Sequence, residues 1–320
     1  ISWEAEGRHA MTVLEAVVQG LIQGFTEFLP VSSSGHLILG STILGLRVPG
    51  LSFSIMLHVG TGFAVLVMLR KEIAWIIRSI FSPEAPEERQ KALRLSAYVV
   101  LASVPAAFVG IVFSDLVERS FSSGGVAAVG LIITGFILRQ TAKRDPKAEE
   151  EAQESARPRR GQEYPSYRSS LQRENGLKNR RAYRPAGACV HLDMPSVTLQ
   201  RAVQVGFSQA FAIVPGISRS GTTIAAGLLA GVSREDAARF SFLLSLPAAF
   251  GAAFLDVLAA SEAGVSVLSV EAVVGAVTSF LAGLFALAAV FRVVRRGELS
   301  SFSYYCWIAG FVSLLYLMFA

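Results

Sequence analysis

Arg219 stands between two serines in Pro215-Gly216-Ile217-Ser218-Arg219-Ser220-Gly221-Thr222-Thr223, with apolar sequence on either side. A guanidinium in such a setting needs a counter-charge, and its planar fork matches phosphate oxygens two at a time. Ser218, Ser220, Gly221 and Thr222 would offer hydroxyls and helix-start N–H groups to the same anion. A second stretch, Gln23-Gly24-Phe25-Thr26-Glu27-Phe28-Leu29-Pro30-Val31-Ser32-Ser33-Ser34-Gly35-His36, gathers a carboxylate, three hydroxyls and a histidine in equally apolar surroundings. Ionisable residues at membrane depth are costly, which makes function their default explanation. The bland alternatives are a structural ion pair of Arg219 with Glu27 or Glu15, and helix capping by the serines. Capping accounts for one of Ser32, Ser33 and Ser34, not for all three.

Helices must position these groups, and prolines must end them. Pro30 lacks an N–H and disfavours helix at Leu29, so a helix over 11–29 stops there. The serines then suit the start of a second helix near Gly35. Pro215 repeats the device. Aligning Gly35 on Gly221 sets Ser33 opposite Arg219, with Gly216 as one extra residue in the second copy. Phe53-Ser54-Ile55-Met56-Leu57-His58 likewise aligns with Phe240-Ser241-Phe242-Leu243-Leu244-Ser245. The chain therefore reads as two related halves, each with an interrupted helix. Glu15, Gln19, Gln23 and Glu27 recur every fourth residue and share a helix face. Glu15 and Gln19 read as a packing stripe and His58 as a packing histidine, whereas Glu27 lies beside the break.

The run from Gln23 to His36, the run from Pro215 to Thr223 and the segment Ser241-Phe242-Leu243-Leu244 resemble the undecaprenyl-diphosphate phosphatase family, the bacitracin-resistance type of integral membrane enzyme. The resemblance extends from Met11 to Ala320 except for a polar stretch at about 141–196. It implies removal of the terminal phosphate from a polyprenyl diphosphate, which recycles the cell-wall lipid carrier. It also implies Ser33 as nucleophile on phosphorus, a weak one that requires an adjacent base. His36, about one helical turn on, would supply or accept the proton, and its own attack on phosphorus stays open. Glu27 would either activate the hydroxyl or hold a divalent cation. Ser32, Ser34, Gly35, Ser218, Ser220, Gly221 and Thr222 would bind the diphosphate beside Arg219. Where the family often carries a first glutamate in its Glu/Gln-x-x-x-Glu motif, this chain has Gln23. The lost charge argues against a tight two-carboxylate cage and leaves Mg²⁺ or Ca²⁺ held by substrate phosphates with Glu27 and Gln23.

Composition sets the surroundings. Hydrophobic residues make up 52% of the 320 positions and charged residues 17%, with a mean hydropathy of +0.50. That is an all-α polytopic membrane protein. Spanning segments are expected at 53–70, 95–114, 124–140, 240–259, 270–292 and 302–320, each near the roughly 20 residues that a crossing needs. Lysine and arginine crowd the loops at 71–94, 141–201 and 292–296, whereas the loops at 115–123 and 260–269 nearly lack them. The positive-inside rule puts the first three in the cytoplasm. Residues 53–70 then run inward and their partners 240–259 outward, an inverted-topology repeat. Six spanning helices and two re-entrant helix pairs follow, at 11–45 and 198–230. The first half covers 11–140 and the second 198–320. Residues 141–197 between them read as a polar, disordered cytoplasmic loop. Met11 opens the recognisable sequence, leaving Ile1 to Ala10 as an upstream extension or as part of the chain proper.

The expected location is a bacterial-type plasma membrane, with the first break and its chemistry facing the outer leaflet. The expected partners are the lipid diphosphate and the bilayer, with a homodimer left open. No P-loop, dinucleotide fingerprint or zinc spacing appears. The basic residues, which carry the net charge of +5, lie between apolar segments and call for no nucleic acid. Inverted repeats with broken helices also describe transporters, so a transporter or lipid flippase binding an anion at the same place is the alternative. A nucleophile and a base beside the break would distinguish the enzyme from the carrier.

Overall fold

A computed structural model describes residues 11–44, 51–143, 192–262 and 268–319. The loop expected to be disordered lies, apart from its ends, outside the described residues, as do Ile1 to Ala10. Among the described residues the chain is helical, with no strand.

Helix α1 (Val13–Phe28) starts from a capping box in which the Thr12 hydroxyl accepts from the Glu15 N–H and the Glu15 carboxylate accepts from the Thr12 N–H. Glu15 thus serves the helix start, far from the break. At the other end Leu29 turns to ψ 141°, as the residue before a proline must. Helix α2 (Ser33–Leu44) begins two residues earlier than expected. The reason is that Ser32 takes the cap, its Oγ accepting from the Gly35 N–H at 3.2 Å, so Ser33 and Ser34 occupy the first turn.

Next come α3 (Leu51–Met68), α4 (Arg70–Ile80), α5 (Pro86–Val112), α6 (Ser114–Phe121) and α7 (Gly124–Gln140). The second half supplies α8 (Leu199–Phe211), α9 (Arg219–Leu229), α10 (Arg234–Glu262), α11 (Val270–Arg296) and α12 (Phe302–Phe319). Two expected loops are helical instead. Most of 71–94 is α4 and the first turns of α5, and most of 115–123 is α6. Glu72 and Ser79, about two turns apart on one face of α4, are buried, whereas Lys71 and Arg78 on the neighbouring face stay exposed.

Among the described residues, helices α5, α10, α11 and α12 are long and apolar enough to cross a membrane, and counting each bent pair as one span, α3–α4 at 72° and α6–α7 at 96°, gives up to six. Large apolar side chains such as Phe108, Ile111, Phe136, Phe285 and Phe311 point outward. A bilayer is the solvent for such a surface, and the molecule is a multi-pass membrane protein.

The halves exchange partners. Helix α1 packs on α11 of the other half, and α8 packs on α5 of the first. A side-chain carbon on Gly20 would lie 2.7 Å from the Gly275 carbonyl, and one on Gly206 would lie 2.7 Å from the Ala102 carbonyl. Each of these glycines lies 15 residues before its own aligned glycine, Gly35 or Gly221. Small residues at both crossings bring backbones into contact, which drives helix association in lipid.

The second hairpin returns to its starting end. Ser196, just before α8, donates to Asp236 at 2.6 Å and accepts from the Ser233 N–H at 3.0 Å, just after α9. At this end Glu72 of α4 also pairs with buried Arg239 of α10 at 3.3 Å, and Arg234 donates to the Arg295 carbonyl. The start of α4, the residues just before α8 and the end of α11 thus meet on one side of the bundle.

Candidate active site

The two breaks touch tip to tip. Ser220 Oγ of the second donates to the Leu29 carbonyl of the first at 3.4 Å, and the Gly216 N–H donates to Ser34 Oγ at 3.4 Å. Irregular backbone at membrane depth needs internal partners. Thr134 of α7 supplies two, donating to the Gly216 carbonyl at 3.0 Å and accepting from the Ser218 N–H at 2.9 Å. Cys306 of α12 lies 3.5 Å from the Pro30 carbonyl. The extra residue Gly216 has φ +87°, and a side-chain carbon there would lie 2.0 Å from the Ala127 carbonyl. Only glycine fits that position.

This contact carries Glu27 and Arg219 together. The guanidinium donates through Nη2 to Glu27 Oε1, while Glu27 Oε2 accepts from Ser33 Oγ at 2.6 Å and from Gln23 Nε2 at 3.0 Å. The carboxylate is nearly enclosed, with a side-chain exposure of 7%; Arg219 keeps 26% and lines a cleft with Glu27, Ser220, Ser241 and Ser245. A hydroxyl held against a buried carboxylate can give its proton to that carboxylate as it attacks, the arrangement an oxygen nucleophile requires. A guanidinium on the same carboxylate is placed to receive an anion approaching that hydroxyl.

His36 does something other than expected. Its Nδ1 lies 2.8 Å from the Ser32 carbonyl and its Nε2 lies 2.7 Å from the Tyr305 hydroxyl, so neither ring nitrogen serves Ser33. The partner beside Ser33 is Glu27, six residues earlier, because the chain reverses at Pro30 and folds the first turn of α2 back onto the last turn of α1. Of the two activators expected for Ser33, spacing along α2 points to His36, whereas the reversal at Pro30 brings Glu27 into contact.

Several residues expected to bind substrate build the breaks instead. Ser218 Oγ accepts from the Gly221 N–H at 3.1 Å, and Gly221 and Gly35 give each tip room against Pro30 and Gly216 respectively. Ser32 and Ser34 sit Oγ to Oγ at 3.2 Å. Thr222 is buried, its hydroxyl without a hydrogen-bond partner among the described residues and away from the cleft lining. Ser220 does face the cleft. Sequence reading passed over Tyr305, Thr134, Ser241 and Ser245. Ser241 and Ser245 fall in the repeat-matched segment, which could have flagged them; Tyr305 carries no local signal at all.

For a divalent cation the protein offers oxygen donors only. Gln23 Oε1 is buried without a hydrogen-bond partner among the described residues, next to the carboxylate that its amide nitrogen contacts. No group of three His, Cys, Asp or Glu side chains among the described residues stands in metal-binding arrangement. Two hard donors suit a cation held largely by substrate oxygens, and they do not suit a cage made by protein alone.

The model of the bacitracin resistance protein BacA family matches residues 16–312. Undecaprenyl-diphosphatase of Desulforapulum autotrophicum is 34% identical over 95% of this chain and 98% of its own length. The enzyme of the same name from Carboxydothermus hydrogenoformans is 36% identical over 95% of this chain and 97% of its own length. That from Syntrophotalea carbinolica is 38% identical over 94% of this chain and 97% of its own.

Proposed function

The chain belongs to the bacitracin resistance protein BacA family, and from that premise we propose that it works as an undecaprenyl-diphosphatase with Ser33, Glu27 and Arg219 as its reacting centre. The protein hydrolyses undecaprenyl diphosphate to the monophosphate and inorganic phosphate. Its relatives named above are diphosphatases, which leaves the transport reading of the repeat without support.

The observation that carries the assignment of residues is the contact of Ser33 Oγ with Glu27 Oε2, with Arg219 on the other carboxylate oxygen. Ser33 attacks the terminal phosphorus and passes its proton to Glu27. The bond from that phosphorus to the bridging oxygen breaks, and the lipid monophosphate leaves with the electron pair. The proton on Glu27 leaves with the departing monophosphate. Glu27 then takes a proton from the water that attacks the phosphoserine and returns it to the Ser33 oxygen as inorganic phosphate leaves. Arg219 turns from Glu27 toward the transferring phosphoryl group, whose equatorial oxygens carry the charge of the transition state. His36, with Nε2 directed away from Ser33, serves the leaving oxygen or the attacking water rather than the nucleophile.

Mg²⁺ or Ca²⁺ would be held by substrate phosphate oxygens with Gln23 Oε1 and Glu27, and would neutralise diphosphate charge. Orientation follows from the lysine and arginine bias. The end where Glu72, Ser196, Arg234 and Arg295 meet is cytoplasmic, so the first hairpin opens to the outer leaflet.

Phosphate release from a polyprenyl diphosphate by purified protein, with and without chelator, tests the reading. Release is expected and should fall on chelation. Ser33→Ala should reduce it to background, and phosphoserine at residue 33 should be trapped in an acid quench. Release by Ser33→Ala at the parent rate would remove the serine from the mechanism. An unchanged rate in chelator would remove the metal.

A further inference from the structure

His36 is clasped on both sides, and the two contacts differ in kind. The Ser32 carbonyl can only accept, so the 2.8 Å contact requires the hydrogen on Nδ1. In the neutral ring Nε2 is then a bare lone pair, and the Tyr305 hydroxyl donates to it at 2.7 Å. The two rings lie nearly parallel, 7° apart with centroids at 5.7 Å. Ser32 holds φ +66°, in the left-handed region that non-glycine residues rarely adopt. That turn also presents its carbonyl to the His36 backbone N–H at 3.2 Å. Strain of this sort persists where surrounding contacts over-determine it.

We propose that Tyr305 is the positioning residue of His36, holding the ring in the Nδ1–H tautomer so that Nε2 is the one atom of the ring that gains and loses a proton during hydrolysis. The inference rests on the reading above, in which His36 moves a proton for the leaving oxygen or the water. Protonation reverses a single hydrogen bond. Nε2–H then donates to the Tyr305 oxygen, and the phenolic hydrogen turns away from the ring. No heavy atom has to move. Tyr305 keeps 48% of its surface exposed, so its hydroxyl has room for that turn. Nothing in the second break occupies the matching place, since the residue three after Arg219 is Thr222. The clasp therefore belongs to the half that carries the nucleophile.

Nitrogen-15 spectra of histidine-labelled protein in detergent, with His36→Gln to assign its signals, read the tautomer directly. The parent should show one protonated and one bare nitrogen at His36, and Tyr305→Phe, which frees the ring to turn off the Ser32 carbonyl, should show a tautomer mixture. Phenylalanine keeps the ring stack, so the melting temperature should hold. Turnover in Tyr305→Phe should drop roughly ten- to a hundredfold at constant KM, less than the ~10²–10⁴-fold of losing an acid–base group outright. A mixed tautomer at His36 in the parent protein overturns the proposal, whatever happens to the variant. So does Tyr305→Phe with parent turnover, or with lost turnover and an unchanged His36 signature. Absence of phosphate release by the parent protein would instead overturn the hydrolase reading, and the spectra would still report on the clasp.

Discussion

At the scale of single residues, one carboxylate has three neighbours with different demands on it. Glu27 accepts from Ser33, Gln23 and Arg219 together, and only a charged carboxylate satisfies all three. Glu27→Gln keeps the shape and loses the base, so turnover should fall by about 10²–10⁴-fold. Glu15→Gln weakens the capping box of α1, far from the break, and should cost about 1 kcal/mol of stability with turnover retained. Equal losses of turnover in the two variants would deny Glu27 its special place. Arg219→Lys keeps a positive charge and loses the fork. Measured at saturating lipid diphosphate, its turnover should be lower by on the order of 10²–10³-fold, the cost of a missing transition-state donor.

At the scale of elements, the site depends on two broken helices meeting without leaving backbone groups stranded. Thr134 resolves this for the second break by serving a carbonyl and an N–H at once. Thr134→Val preserves volume and strands both, at about 1–3 kcal/mol for each group. A lower melting temperature in detergent and a parallel loss of turnover are expected, because Arg219 is positioned by that break. Turnover unaffected by a substantial drop in melting temperature would show that the break tolerates looser backbone than its geometry suggests.

At the scale of the whole molecule, each hairpin is wedged between helices of both halves, so the site exists only when the halves have interleaved. Helix α1 rests on α11 and α8 rests on α5, at Gly20 and Gly206. The polar end, with the Glu72–Arg239 pair and the Ser196–Asp236 bond, marks one face of the bundle. Single cysteines at Ser82 and Glu298 should react with a membrane-impermeant reagent only from the cytoplasmic side, and one at Ser122 only from outside. The reverse pattern would place the first hairpin on the inner leaflet and move the chemistry with it.

Much of this was legible in the sequence, because it depends on local rules. Apolar length marks the spanning helices, Pro30 and Pro215 must end helices, and a guanidinium and a carboxylate cannot sit in apolar sequence without a partner. The spacing of Gly35 and Gly221 displayed the repeat. What sequence could not supply was direction through space. Ser33 and His36 look like partners at one helical turn, yet Pro30 folds Ser33 back onto Glu27 and leaves His36 to Tyr305, 269 residues away. Amphipathic α4 and the short α6 were read as loops, since charge there suggested solvent and not a helix lying against the bundle. Thr134 and Tyr305 stand in runs whose apolar neighbours are set by lipid, so nothing local marks them. Their roles arise only when packing brings a buried carbonyl or a ring nitrogen within reach, and that is a property of the folded helices alone.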